Sequence, residues 1–154
     1  MMTQASEVIA RLQGKTLATA ESCTGGGIGE VLTAVAGASA VYKGGVISYC
    51  DEVKHDLLGV PEEILQTVGA VSAPVAEAMA QGVKRVLGVD VAVSVTGLAG
   101  PGDDSFGNPV GTVYIGYADD KESLSRRFFF QGDRQQVRES AVREALKLII
   151  EKTC

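Results

Sequence analysis

Apolar and polar positions follow two rhythms along this chain. Short apolar runs rich in β-branched residues alternate with stretches whose apolar residues recur every three or four positions. The first rhythm predicts buried strands and the second predicts helices packed on one face. Glu7 to Leu12 puts Val8, Ile9 and Leu12 on one helical face and stops at Gly14. Thr16-Leu17-Ala18-Thr19-Ala20 predicts a strand, and a helix follows from about Thr24 to Val35, ending near Gly37. Gly45-Val46-Ile47-Ser48-Tyr49 predicts a second strand, followed by a short helix over Asp51 to Leu58 with Gly59 as its stop. Pro61 opens another helix, at the favoured first turn. Ser72 is set to cap a long helix packed through Val75, Ala76, Met79, Ala80, Val83 and Val86, with Glu77 on its exposed side.

Asp90 to Val95 predicts a third strand, running into the turn Thr96-Gly97-Leu98-Ala99-Gly100-Pro101-Gly102. The polar stretch Asp103 to Asn108 reads as a mobile loop. Val110 to Ala118 and Ser123 to Phe130 predict two strands, and the short Asp119–Glu122 connection makes them an antiparallel hairpin. Asp133 caps a last helix with the stripe Val137, Ala141, Ala145, Leu146 and Ile149. The expected architecture is α/β: a three-layer sandwich with a mixed sheet including a C-terminal β-hairpin, in one domain over residues 1–154. In such sheets ligands gather beyond the carboxyl ends of the strands. Three strand ends carry unusual residues here: Glu21–Gly27, Tyr49–Lys54 and Thr96–Gly102.

Composition narrows the function classes. The net charge of −5 argues against a general nucleic-acid or membrane-surface binder, which would be basic. No apolar run nears the roughly 20 residues that span a bilayer. The three cysteines, Cys23, Cys50 and Cys154, have no metal-type spacing, and with no signal peptide they suggest a reducing cytoplasm. The single histidine, His55, removes multi-histidine metal sites. Edge strands of this kind often dimerise, so a homo-oligomer is an expectation.

Candidate chemistry sits at the three strand ends. Glu21-Ser22-Cys23-Thr24-Gly25-Gly26-Gly27 joins a strand to a helix through a glycine-rich turn. Ser22 there is either a nucleophile beside its own oxyanion donors or, like Thr24, only a helix cap. Lys54 follows Tyr49 by five residues and is either a general base with a depressed pKa or a solvated lysine. Ser with Lys, helped by Tyr, is an alternative to Ser with His. Cys23 is a rival nucleophile, though a small buried cysteine is the commoner case. His55 points about 100° away from Lys54 on a helix and reads as surface or packing. Thr96 and Gly97 either complete an oxyanion hole or merely turn the chain. Arg134, at a helix start where a cation is unfavourable, is either held for an anionic ligand or simply exposed. Arg126, Arg127 and Arg138 read as solvated.

Taken together, these blocks resemble a known family. Ala20-Glu21-Ser22-Cys23-Thr24-Gly25-Gly26, Tyr49 with Lys54, Leu58-Gly59-Val60, Gly69-Ala70-Val71-Ser72, Gly97-Leu98-Ala99-Gly100-Pro101, Pro109-Val110-Gly111-Thr112-Val113 and Gly132-Asp133-Arg134 occur in its order. The family is that of the CinA C-terminal domain, in its stand-alone nicotinamide-nucleotide amidohydrolase form. The resemblance covers about residues 5–150. It implies hydrolysis of the carboxamide of nicotinamide mononucleotide to nicotinate mononucleotide and ammonia, in pyridine nucleotide salvage, with no metal and no organic cofactor. It implies Ser22 as nucleophile, Lys54 as base and Tyr49 as proton relay or orienting partner. Thr24, Gly25, Gly26, Thr96 and Gly97 would serve the oxyanion and acyl group, and Arg134 would contact substrate. Asp51 departs from the family, which usually has Asn there, and its carboxylate favours the charged form of Lys54. Longer members carry an additional N-terminal domain, and neither that domain nor its activity is expected here. A non-catalytic, competence- or damage-related interaction domain is the rival reading. A nucleotide-binding module without turnover ranks last, because the turn lacks the Gly-Lys-Ser/Thr ending of a Walker loop.

Overall fold

The computed structural model describes residues 1–153, so Cys154 lies outside the described residues. Five strands form one sheet in the order β2-β1-β3-β4-β5: β1 (Leu17–Glu21), β2 (Tyr42–Ile47), β3 (Val91–Gly97), β4 (Thr112–Ala118) and β5 (Ser123–Phe129). β1 pairs parallel with β2 and β3, with Glu21 beside Ile47 and Val95 at its end. β4 pairs antiparallel with β3 and with β5, closing the expected hairpin.

Helices cover both faces. α1 (Met2–Arg11), α2 (Gly27–Thr33) and α6 (Arg134–Lys152) bury one core against Leu17, Val91, Val93, Val95, Val113, Ile115 and Tyr117. α3 (Asp51–Leu58), α4 (Glu62–Thr67) and α5 (Ala73–Leu87) bury the other. On that second face the strands present small residues, Ala18, Ala20, Ala92, Ser94 and Gly116, so α5 lies close to the sheet. Ser94 Oγ donates to the Ala76 carbonyl at 2.5 Å. α5 is also pressed against the end of α3: a Cβ on Gly82 would stand 2.0 Å from the Leu58 carbonyl oxygen, so only glycine fits. That contact fixes the helix bearing Lys54.

Several boundaries differ from the pattern. α1 begins at Met2 rather than near Glu7. α2 begins at Gly27 rather than Thr24 because Gly25 and Gly26 take φ of 58° and 99°, which keeps the chain out of the right-handed helix. β2 starts at Tyr42 and ends at Ile47, leaving Tyr49 beyond the strand. Val86 lies in the last turn of α5 and is exposed, not packed. Glu77 is half-buried and accepts a hydrogen bond from Ser123 Oγ, so it does not simply face solvent. Ser72 takes the N-cap position, but its hydroxyl donates to the Gly69 carbonyl instead of capping. Asp133 caps α6 as expected, in a full capping box with Gln136. None of the described helices is long and apolar enough to cross a membrane.

Candidate functional site

Beyond the carboxyl ends of β1 and β3 lies a cavity of about 310 Å³. Ser22, Lys54, Tyr49, Thr96, Gly97 and Arg134 all line it. The chain leaves β1 at Glu21, and Ser22 stays tied to the sheet by its N–H, which donates to the Val95 carbonyl at 3.1 Å. Ser22 is 8% exposed.

Lys54 enters from the first turns of α3 and is only 2% exposed. Its Nζ lies 3.1 Å from Ser22 Oγ and donates to the Ser48 carbonyl at 2.7 Å. Burial pulls its pKa below the ordinary lysine value, and the negative charge of Asp51 opposes that shift without cancelling it. In the neutral form the amine donates to Ser48 and offers its lone pair to Ser22, so the contact can carry the serine proton to nitrogen. The pairing of a hydroxyl with an amine of lowered basicity is the arrangement a Ser-Lys nucleophile needs.

Tyr49 lines the same cavity as Lys54 and is 62% exposed, and its hydroxyl accepts from Arg134 Nη2 at 3.0 Å. Arg134 Nη1 donates to the Gly100 carbonyl at 2.5 Å. Arg134 therefore joins the Tyr49 segment to the Gly100 turn at the rim of the cavity, as the first residue of α6.

The glycine turn also departs from expectation. Thr24, Gly25 and Gly26 do not line the cavity. The Thr24 hydroxyl donates to Glu21 Oε1 at 2.7 Å, and the N–H groups of Ile28 and Gly29 donate to the same carboxylate at 2.9 and 3.0 Å. The start of α2 is thus filled by the protein's own anion, and the Gly25 N–H is taken by the Ser22 carbonyl. Among the described residues, the N–H of Cys23, which follows Ser22, meets no backbone carbonyl. Across the cavity Gly97 lies two residues beyond Val95, the last β3 residue matched to β1. The Thr96 hydroxyl donates to the Ala70 carbonyl at 2.9 Å, so it braces the wall.

The other candidates separate cleanly. Burial pushes the Cys23 thiol up to about 11, which keeps it protonated and unreactive. His55 Nδ1 sits 2.8 Å from the Val60 carbonyl, and His55 does not line the cavity. Arg138 is not a solvated arginine. Its guanidinium donates to the carbonyls of Cys23 and Thr24 at 3.0 and 3.2 Å. Sequence reasoning missed Glu21, Arg138 and the Ser48 carbonyl as parts of the site. The one signal for Glu21 was a carboxylate closing a β-strand just before a serine. Among the described residues no group of three or more His, Cys, Asp or Glu is placed to hold a metal ion.

The sequence and the fold both match known proteins. Residues 2–153 match the model of the CinA C-terminal domain. A CinA-like protein of Synechococcus sp. strain RCC307 is 50% identical over 141 residues, covering 90% of this chain and 34% of that protein. A CinA-like protein of Thermosynechococcus vestitus is 51% identical over 148 residues, covering 92% of this chain and 36% of that protein. The chain thus spans about a third of the length of these relatives. The crystal structure of competence damage-inducible protein A from Klebsiella pneumoniae superposes with a TM-score of 0.95 at 37% identity, covering 98% of this chain and 95% of that one. A competence/damage inducible protein from Agrobacterium tumefaciens superposes with a TM-score of 0.93 at 38% identity, covering 97% and 93%.

Proposed function

The chain belongs to the CinA C-terminal domain family, and from that premise we propose that it is an amidase that hydrolyses the carboxamide of nicotinamide mononucleotide to nicotinate mononucleotide and ammonia. The observation that carries the reading is the buried contact of Lys54 Nζ with Ser22 Oγ at 3.1 Å. In this mechanism neutral Lys54 takes the hydroxyl proton as Ser22 Oγ attacks the amide carbon. The negative charge moves to the carboxamide oxygen, which the N–H groups of Cys23 and Gly97 receive. The tetrahedral intermediate collapses, the C–N bond breaks, and Lys54 returns its proton to the leaving nitrogen, so ammonia departs. Water then attacks the acyl-serine with Lys54 again as base, and the carboxylic acid leaves with Ser22 restored. Arg134 at the rim supplies a cation for the anionic end of the substrate. The reaction would serve pyridine nucleotide salvage in the cytoplasm, and no resident cofactor takes part.

The test is ammonia release from nicotinamide mononucleotide by the wild type beside Ser22→Ala. The reading expects turnover in the first and none in the second. Equal release from both would remove Ser22 as nucleophile. No release from either would favour a domain that acts by binding a partner, the reading that the competence names of the solved relatives suggest.

A further inference from the structure

Ser22 stands on a turn gripped from two sides, and neither grip touches the cavity. From inside, the Glu21 side chain is 2% exposed and folds back under its own turn. Its Oε1 accepts from Thr24 Oγ1 at 2.7 Å and Ile28 N at 2.9 Å, and its Oε2 accepts from Gly29 N at 3.0 Å and Thr19 Oγ1 at 3.3 Å. Thr19 Oγ1 is in turn 2.7 Å from the Tyr42 hydroxyl. From outside, Arg138 of α6 donates to the carbonyls of Cys23 and Thr24. The Glu21–Thr24 bond closes a ring around Ser22 and Cys23, the two residues to which the proposed mechanism gives the nucleophile and an oxyanion donor. A buried carboxylate with four donors is a costly arrangement to keep unless each donor is matched. Nothing about the helix requires it, because a Ser or Asp at the cap position would satisfy the same N–H groups.

We propose that Glu21 is a positioning residue: with Thr24 and Arg138 as struts, it holds the Ser22 hydroxyl at Lys54 and aims the Cys23 N–H at the oxyanion. The assignment rests on the amidase reading, and it gives Thr24 a supporting role in place of substrate contact. Glutamine at 21 would keep the shape but turn an NH₂ group toward donors. Valine at 24 would cut one strut and leave the carboxylate in place.

The experiment compares wild type, Glu21→Gln, Thr24→Val and Thr24→Ser by two readouts. One is kcat and KM for nicotinamide mononucleotide. The other is the rate at which a fluorophosphonate ester labels Ser22, read by intact mass, which requires an activated serine but no amide. Circular dichroism and thermal melts confirm that each variant is folded at the assay temperature. Glu21→Gln and Thr24→Val are expected to lose about 10- to 100-fold in kcat and in labelling rate with KM unchanged, the scale of a misplacement of about 1 Å. Thr24→Ser, which restores the hydroxyl, is expected to recover both rates. A purely structural role would lower the melting temperature and leave both rates per folded molecule unchanged. Should Glu21→Gln fail to fold, Thr24→Val carries the test. Folded Thr24→Val that labels at the wild-type rate overturns the proposal. A wild type that is labelled but releases no ammonia, with the variants still slowed, overturns the amidase reading alone. A wild type that is neither labelled nor active overturns both.

Discussion

Lys54 Nζ and Ser22 Oγ lie 3.1 Å apart in a buried contact between residues 32 positions apart in the chain. Two elements bring them together. β1 delivers Ser22 to the end of the sheet, and α3, pinned where Gly82 admits the Leu58 carbonyl, swings Lys54 across it. Removing the amine as Lys54→Ala is expected to lower kcat for amide hydrolysis by about 10²–10⁴, the usual worth of a general base. Lys54→Arg is expected to be equally inactive, since guanidinium stays charged and cannot accept the proton. Steady-state ammonia release checks both.

The depressed pKa of Lys54 sets the pH dependence. Below that pKa the group is an ammonium ion and cannot act as base. kcat/KM is therefore expected to rise with pH along a limb whose midpoint lies below 10.5, the ordinary lysine value. Asp51 pushes that pKa up, so Asp51→Asn is expected to move the limb to lower pH and raise the rate near neutrality. A pH–rate profile of the two proteins reads this directly. A limb that does not move would remove Asp51 from the electrostatics of the site.

The same shift predicts stability. The unfolded chain holds the Lys54 proton up to about pH 10.4, while the folded chain releases it earlier. Between the two values the unfolded state binds more protons, so stability rises with pH across that window. The penalty is fully present below the folded-state pKa and gone above the unfolded one. Urea titrations from pH 7 to 10.5 are expected to show wild type gaining on Lys54→Met as pH rises.

The rim is expected to act on binding. Arg134→Ala removes the cation and is expected to raise KM for the mononucleotide by about 10- to 100-fold, the 1.5–3 kcal/mol of a charge-assisted hydrogen bond, with a smaller change in kcat. Tyr49→Phe removes only the hydroxyl that Arg134 holds, so its effect should also fall on KM. If Tyr49→Phe instead lowers kcat as far as Lys54→Ala does, the phenol is a proton relay.

Cys23 sits next to Ser22 but is not expected to share the reactivity proposed for it. Its thiol is buried and its pKa is pushed up to about 11, whereas Cys50 is exposed. In a Cys154→Ser background, iodoacetamide at pH 8 is expected to alkylate Cys50 and spare Cys23, as peptide mapping would show. Loss of activity tracking modification of Cys23 would reopen it as nucleophile.

The sheet, its hairpin and the order of helices were legible because each element keeps its hydrophobic period and begins or ends on a recognisable cap. Gly59, which stops α3, and Asp133, which starts α6, are examples. Ser22 and Lys54 were legible as candidates because each lies at a strand end or just beyond one. What stayed hidden was partnership. Nothing in the spacing tells which donors a carboxylate will collect, so Glu21 looked like the first residue of a turn. The glycine turn looked like an open anion site for the same reason. Arg138 looked solvated because its targets, two carbonyls more than a hundred positions away, are defined only by how α6 packs. The bond from Arg134 to the Tyr49 hydroxyl stayed hidden in the same way, because the two lie 85 positions apart.

A strand, a glycine bend and a helix form the outline of many phosphate cradles, yet here the seat is already occupied from within. With the positive end of α2 neutralised by Glu21, that end would exert no pull on an anion. Under the amidase reading the charged tail of the nucleotide would be left to the Arg134 guanidinium at the rim, so the molecule would enter amide first, tail outward, and the order of its parts along the cleft would be decided before any chemistry begins.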